Sequence, residues 1–115
     1  MKIQLKRVYD PASDGDGTRI LIDRLWPRGL KREAVAIDLW LKEVAPSDSL
    51  RRWFSHDVEK WVEFQKRYTK ELQRNPALQL LVDAVQKGPV TLLYSAKDIE
   101  HNNGICLKKY LENAL

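Results

Sequence analysis

The stretch LIDRLWPRG, residues 21–29, places an acid and two arginines directly after an apolar run. The planar guanidinium group of arginine offers a fork of donors that suits phosphate and carboxylate groups, which makes Arg24 and Arg28 candidate ligands of an anion. Asp23 is a candidate catalytic acid or base beside them. The alternative is structural: an Asp–Arg pair that orders the loop, with Trp26 filling the core.

A second polar segment, residues 94–102, follows another apolar run. Tyr94, Lys97 and Asn102 are candidate ligand-binding residues, and Asp98 is a second candidate acid or base. Asn102 or Asn103 is expected to cap the helix that follows, and the amino end of that helix adds a partial positive charge that attracts anions. Ordinary loop chemistry is the alternative, since Ser, Asp and Asn are frequent turn residues.

Histidine supplies a third candidate group. His56 lies between Ser55 and Asp57, and an imidazole can transfer protons near neutral pH, so His56 is a candidate catalytic residue. Asp57 also has the position of a helix N-cap, in which case His56 is an ordinary loop residue. The two histidines and Cys106 lack the spacing of a zinc site, so we predict no metal and no cofactor.

Apolar runs predict strands at residues 3–9, 19–23 and 90–95. The run Ile20 to Ile22 has no polar interruption, which indicates a strand buried on both faces. Because buried strands separated by helices pair in parallel through a crossover, we predict an α/β fold with a small, mostly parallel sheet of about three strands flanked by helices. The loops after the second and third strands would then open at one edge of the sheet, where such folds bind ligands.

Apolar residues at helical spacing predict the helices. We expect them over residues 33–44, from Ser47 or Asp48 to Phe54, over 57–74, from Pro76 to residue 87, and in a final segment containing Leu107 and Leu111. The inward stripe of the 57–74 helix is expected to comprise Val58, Trp61, Val62, Gln65, Tyr68 and Leu72.

The composition is that of an ordinary folded domain, with 43% hydrophobic and 31% charged residues among 115. We expect a single α/β domain over residues 1–115 with no membrane-spanning segment. A lone cysteine and no secretory signal favour the cytoplasm.

The net charge of +4 is unevenly placed. Residues 1–32 carry eight basic and four acidic side chains, whereas residues 33–115 carry twelve of each. This asymmetry favours an anionic partner, and we prefer a small anionic molecule to a nucleic acid. The sequence leaves the oligomeric state open.

Several blocks of the chain match a known family in the same order. The matching blocks are RVYD (7–10), DRLWPRG (23–29), DLWLK (38–42), APS (45–47), LRRWFSHD (50–57) and VTLLYSAKD (90–98). In these blocks the chain resembles the YeaO-like branch of the domain-of-unknown-function family 488. The resemblance implies a small α/β fold and transfers no catalytic role. Many members of the wider family have a Cys-His pair at the start of the last helix. Residues His101 to Gly104 lack this pair here, and Cys106 lies later in the helix.

Three functional hypotheses remain open from the sequence. The leading one is the binding of a small anionic or phosphorylated molecule at the strand C-terminal edge, with Arg24, Arg28 and Lys97 as anion ligands. The second is a nucleic-acid binding module that uses the basic N-terminal third, although no helix-turn-helix, RNA-recognition or zinc-finger signature is present. The third is a structural or interaction protein without catalysis, favoured if the apolar face of residues 76–87 exceeds what one small sheet covers. The sequence leaves open whether the protein is an enzyme.

Overall fold

Four parallel strands form one sheet in the computed structural model, which describes residues 2–115. The strands are β1 (Ile3–Arg7), β2 (Thr18–Leu21), β3 (Leu39–Trp40) and β4 (Val90–Tyr94). Their spatial order is β1-β4-β2-β3, and Leu92 of β4 lies opposite Leu5 on one side and Ile20 on the other. The predicted α/β fold with a small parallel sheet is confirmed, with four strands in place of about three.

The helices cover one face of this sheet. They are α1 (Asp48–Phe54), α2 (Trp61–Gln73), α3 (Leu78–Lys87) and α4 (Asn103–Ala114). The main core joins Ile20, Ile22 and Leu92 of the sheet segments to helical residues such as Tyr68 and Leu107. Within residues 2–115, no helix has both the length and the apolar character needed to cross a membrane.

The opposite face of the sheet is covered by an irregular segment. Val8, Leu21 and Leu93 form a second core there. They are packed by Trp26, Leu30, Val35, Ile37 and Trp40. Successive residues along the second strand segment therefore alternate between the two cores, because side chains of a strand point to opposite faces in turn. Burial of this strand on both faces is as predicted.

Residues 33–44 do not form the predicted helix. The segment consists of a 3₁₀ turn at Arg32–Ala34, the strand β3, and a 3₁₀ turn at Lys42–Val44. The N–H of Leu41 donates to the carbonyl of Leu21 and the N–H of Asp38 to that of Arg19, both at 2.9 Å. Pairing with the open edge of β2 satisfies backbone groups of both segments and outweighs a weak helical preference. This pairing produces the fourth strand that the sequence analysis missed.

The other helices lie close to their predicted bounds. Ser47 is the N-cap of α1, and its hydroxyl accepts a hydrogen bond from the N–H of Leu50 at 3.2 Å. The predicted 57–74 helix begins as a 3₁₀ turn at Val58–Lys60, capped by the carboxylate of Asp57, and continues as α2.

The buried stripe of α2 differs from the predicted one. Phe64, Tyr68 and Leu72 are buried, whereas Val58 and Val62 are exposed. Steps of four residues place Phe64, Tyr68 and Leu72 on one side of the helix, and that side faces the sheet.

Asp16 anchors the connection from β1 to β2. Its buried carboxylate contacts Lys6 Nζ at 2.7 Å, Nη1 of Arg19, and the hydroxyl and N–H of Ser13 at 2.8 and 3.1 Å. The hydrogen bond from Lys6 lowers the pKa of Asp16 well below its ordinary value; burial opposes this, and Ser13 and Arg19 add to the lowering. The hydroxyl of Thr91 donates to the carbonyl of Asp16 at 2.7 Å, which ties the connection to the central strand.

Gly17 brings the same connection against the start of β4. Its φ is +64°, and a Cβ there would lie 2.2 Å from the carbonyl oxygen of Pro89. That oxygen accepts a hydrogen bond from the N–H of Thr18 at 3.0 Å. Only glycine allows both the left-handed backbone and this close approach.

We expect Asp16→Asn to lower the melting temperature by several degrees at neutral pH, because Lys6 and Arg19 lose their carboxylate. A carboxyl whose pKa is lower in the folded than in the unfolded state stabilises the fold above the unfolded value. That contribution disappears as the pH falls through the folded value. The difference between variant and wild type should therefore shrink between about pH 5 and about pH 2. Thermal unfolding followed by circular dichroism measures it.

Asp14→Asn is the matched control, since Asp14 is exposed and the substitution is the same. It should leave the melting temperature almost unchanged at every pH. Equal effects of the two substitutions would contradict the role assigned to Asp16.

Gly17→Ala should lower the free energy of unfolding by about 2 kcal/mol or more, because the methyl group meets a backbone carbonyl and φ is unfavourable. Gly15→Ala adds a methyl whose nearest neighbour is Lys2 Nζ at 3.8 Å, so we expect a change below about 0.5 kcal/mol. Urea denaturation measures both values, and similar losses at the two positions would refute the proposed contact.

Candidate functional site

A cleft of about 840 Å³ opens at the carboxyl-terminal edge of the sheet. Its walls come from the loop after β2 (residues 23–28), the segment after β4 (residues 95–103), the end of α1 (residues 51–56) and Tyr9 after β1. The strands are parallel, so their carboxyl ends meet at this edge and the loops that follow them converge. This is the edge at which open α/β sheets bind ligands.

Most of the predicted site residues line this cleft. They are Asp23, Arg24, Arg28, His56, Lys97, Asp98 and Asn102. Tyr94 is the exception: its side chain is buried, and its ring lies next to Gly104 of α4. Burial raises the pKa of Tyr94 above its ordinary value. The structure therefore places Tyr94 in the packing beneath the cleft rather than on its wall.

Asp23 fastens the end of β2 to the end of β4. Its Oδ2 accepts hydrogen bonds from the N–H of Ser95 at 2.9 Å and from the hydroxyl of the same residue at 2.6 Å. The amide of Asn103 donates to Oδ1 at 3.3 Å. Burial raises the pKa of Asp23, and the hydrogen bonds from Ser95 and Asn103 oppose that rise. The carboxylate thus holds two loops together at the floor of the cleft.

Asp98 organises the loop before α4. Its Oδ1 accepts hydrogen bonds from the N–H groups of Glu100 and His101 at 2.9 and 3.0 Å, and its Oδ2 lies 2.9 Å from Nδ1 of His101. The backbone hydrogen bond from Glu100 is the main cause that lowers the pKa of Asp98. A carboxylate at Nδ1 favours the tautomer in which Nε2 is an acceptor. His101, whose ring also packs edge-on against Trp61, is therefore a positioned imidazole on the cleft wall.

Asn102 is the N-cap of α4. Its side-chain oxygen accepts a hydrogen bond from the N–H of Ile105 at 3.0 Å, and its amide donates to the carbonyl of Asp98 at 3.0 Å. Both polar ends of this buried side chain are thus engaged. Asn102 therefore has a structural role in the loop, as the alternative of ordinary loop chemistry predicts.

His56 lies in a tight turn that presents it to the cleft. Ser55 and His56 have φ values of 44° and 57°, and they are the non-glycine residues with positive φ in the described chain. The N–H of Asp57 donates to the carbonyl of Phe54 at 2.9 Å and closes the turn. Two central residues of left-handed backbone characterise the type I′ turn, which favours Asn and Gly. The chain instead keeps a histidine there, at an energetic cost.

Two of the cations on the cleft wall already have protein partners. Arg24 donates to the carbonyls of Pro46 and Ala45 at 3.3 and 3.4 Å. Asp48 lies 3.7 Å from Arg24 Nε and 3.4 Å from Arg51 Nη2. Arg24, predicted as an anion ligand, is therefore partly occupied in joining the β2 exit loop to the start of α1.

Three further cations, Arg28, Arg52 and Lys97, are exposed on the cleft wall. Their charged groups have no hydrogen-bond or ion-pair partner within the part of the chain that the structure describes. Only Asp23 and Asp98 contribute carboxylates to the same walls. The cleft consequently has an excess of positive charge, and its free donors come from three separate segments.

Two features of this cleft were not predicted from the sequence. Arg51 and Arg52 reach it from the end of α1, and the signal was the helical phase, since the buried Leu50 and Phe54 leave the arginines on the outer side. The pairing of His101 with Asp98 was also missed. Their separation by three residues, typical of an Asx-type turn before a helix, could have indicated it.

The surroundings of Cys106 do not activate its thiol. Burial raises the pKa of Cys106 to about 12, which keeps this thiol protonated and unreactive at neutral pH. Among residues 2–115, no group of three or more His, Cys, Asp or Glu side chains is arranged to hold a metal ion.

The sequence matches a known protein family over almost its whole length. The family model described as "Inactive DUF488-N3 subclade" matches residues 2–115. The chain belongs to this subclade of the DUF488 family. The resemblance seen in the sequence blocks is thereby confirmed.

Curated relatives of this DUF488 protein are similar over almost their whole length. The "Uncharacterized protein YeaO" of Escherichia coli strain K12 is 46% identical over 114 residues, which cover 98% of this chain and 99% of YeaO. The "Uncharacterized protein Rv3073c" of Mycobacterium tuberculosis H37Rv is 33% identical over 110 residues, covering 96% and 93% of the two chains. No solved structure matches this chain.

We expect His56→Gly to be more stable than His56→Ala by about 1 kcal/mol, because glycine adopts the left-handed conformation without a Cβ penalty. At an ordinary turn position alanine would be at least as stable as glycine. Both variants lose the imidazole, so their difference isolates the backbone. Urea denaturation supplies the two free energies, and a more stable alanine variant would show that residue 56 does not have a left-handed backbone.

Proposed function

We propose that this protein binds a small anionic, phosphate-bearing ligand in the cleft at the carboxyl-terminal edge of its sheet. The observation that supports the proposal is the convergence of Arg28, Arg52 and Lys97, three exposed cations without ionic partners in the described chain, on one cleft. They come from the β2 exit loop, from α1 and from the β4 exit loop.

Two cations near the core are already paired: Arg19 and Lys6 contact the buried carboxylate of Asp16. Like charges gathered in a cleft repel one another and strengthen the local field, so a bound anion relieves a cost that the free protein bears. Phosphate suits the arrangement because its several oxygens accept hydrogen bonds from different directions at once.

The proposal is one of binding rather than of catalysis. The candidate acids Asp23 and Asp98 are both engaged in holding loops, and the subclade is described as inactive. His56 and His101 remain on the cleft wall as groups that can donate or accept hydrogen bonds to a ligand. We therefore assign these residues to shaping and lining the site.

Nucleic-acid binding draws less support from the basic N-terminal third. Several of its cations are occupied within the protein. Lys6 and Arg19 contact Asp16, and Arg7 donates to the carbonyls of Ser95 and Ala96. The excess charge of this region is thus partly used by the fold, and its exposed Arg28 lies on a cleft of small-molecule size.

Lys97→Gln should weaken the binding of phosphate-bearing probes about tenfold, since one charge-assisted contact to phosphate is lost. The probes are pyrophosphate, ribose 5-phosphate and adenosine 5′-monophosphate, titrated by calorimetry at low salt. Each that binds should also raise the melting temperature of the wild type.

Lys87→Gln is the matched control, because Lys87 is exposed at the end of α3, beside the amino end of β4 and so at the opposite edge of the sheet. It removes the same charge and should leave the affinity within about twofold, since exposed charges so far apart are screened. Failure of every probe to bind the wild type would refute the proposed function. An equal loss in both variants would assign the effect to net charge rather than to the cleft.

A further inference from the structure

Two exposed apolar side chains line the cleft beside the free cations. Leu25 is 61% exposed and Tyr9 is 40% exposed, and both belong to the cleft wall. Leu25 lies in the β2 exit loop, which also carries Arg28. Exposed large hydrophobic groups within a binding cleft indicate a surface that a ligand covers. We call Tyr9 and Leu25 the apolar shelf.

Tyr9 of the apolar shelf is held in place before any ligand arrives. The hydroxyl of Tyr9 donates to the carbonyl of Arg28 at 2.9 Å. The guanidinium carbon of Arg7 lies 4.8 Å from the centre of the Tyr9 ring. Arg7 is itself fixed, because it donates to the carbonyls of Ala96 and Ser95 at 2.9 and 3.1 Å. A preorganised ring loses little entropy on binding, which favours affinity.

The size of the cleft exceeds what an inorganic anion fills. Its volume of about 840 Å³ lies in the range of sites for drug-sized molecules and cofactors. A phosphate held by Arg28 and Lys97 would leave the apolar shelf exposed to water, so the occupant needs an apolar part joined to its anionic part.

We infer that the ligand is a phosphomonoester bearing a planar heteroaromatic group, of the class of nucleoside 5′-monophosphates. This inference rests on the proposed function. The phosphate binds among Arg28, Arg52 and Lys97, and the planar group packs on the apolar shelf. A heteroaromatic ring suits this surface because its face packs against aromatic and aliphatic side chains while its edge keeps polar contacts with water.

The test compares three probes on the full chain by calorimetry: adenosine 5′-monophosphate, ribose 5-phosphate, which lacks the ring, and adenosine, which lacks the phosphate. The mononucleotide should bind at least about fivefold more tightly than ribose 5-phosphate, because stacking of one base on a protein side chain contributes that much or more. Adenosine should bind weakest, since the free cations provide the larger contribution.

Leu25→Ala should reduce the mononucleotide affinity to near that of ribose 5-phosphate, and leave the affinity for ribose 5-phosphate unchanged. Leu80→Ala is the matched control: Leu80 is 54% exposed on α3 and is not part of the cleft wall, so neither affinity should change. Both positions are exposed, and both variants are expected to fold.

The outcomes separate this inference from the proposed function. Equal binding of the mononucleotide and ribose 5-phosphate to the wild type would overturn the inference and leave phosphate binding intact. A mononucleotide affinity that Leu25→Ala does not change would overturn the role of the apolar shelf. Binding of none of the phosphate-bearing probes would overturn both the inference and the proposed function.

Discussion

The common direction of the strands is the constraint on which the cleft depends. β2 and β4 are parallel neighbours, and the N–H of Ile22 still pairs with the carbonyl of Leu93 at 3.0 Å just before the two loops separate. Because both strands end at the same edge, Arg28 and Lys97 reach one space from loops that are far apart in the sequence. An antiparallel pairing of the same strands would put these cations at opposite ends of the sheet.

The polar groups at this edge fall into two sets. One set is satisfied within the protein: Asp23 with Ser95, Asp98 with His101, and Asn102 at the start of α4. These hydrogen bonds fix the positions of the loops. The other set consists of the free cations, whose charged groups are turned to solvent on the same walls. A rigid frame that carries unpaired donors of one sign is what recognition of an anion requires.

Backbone strain is also distributed unevenly between the cleft wall and the rest of the fold. Unfavourable backbone conformations of non-glycine residues occur at Ser55 and His56, which both line the cleft. Elsewhere in the described chain, a close approach such as that of Gly17 to Pro89 is made by glycine, at little cost. Residues with strained backbone conformations are common at functional sites.

Elements with strong local signals could be predicted from the amino-acid sequence alone. The unbroken apolar run of β2, the Ser47 cap of α1 and the basic and acidic residues after the strands are all read from neighbours along the chain. These signals were sufficient for the α/β fold, the parallel sheet and the seven predicted site residues that lie on the cleft wall.

Contacts between segments that are far apart in the sequence could be seen only in the folded structure. Residues 38–41 pair with β2 because its edge is open, a fact that no local pattern contains. The partners of the charged side chains also depend on tertiary packing. Arg24 contacts Asp48 at the start of α1, whereas Arg28 has no such partner in the described chain. Hydrogen bonds and ion pairs depend on distances of a few ångströms between residues remote in sequence, and packing of the whole chain sets those distances.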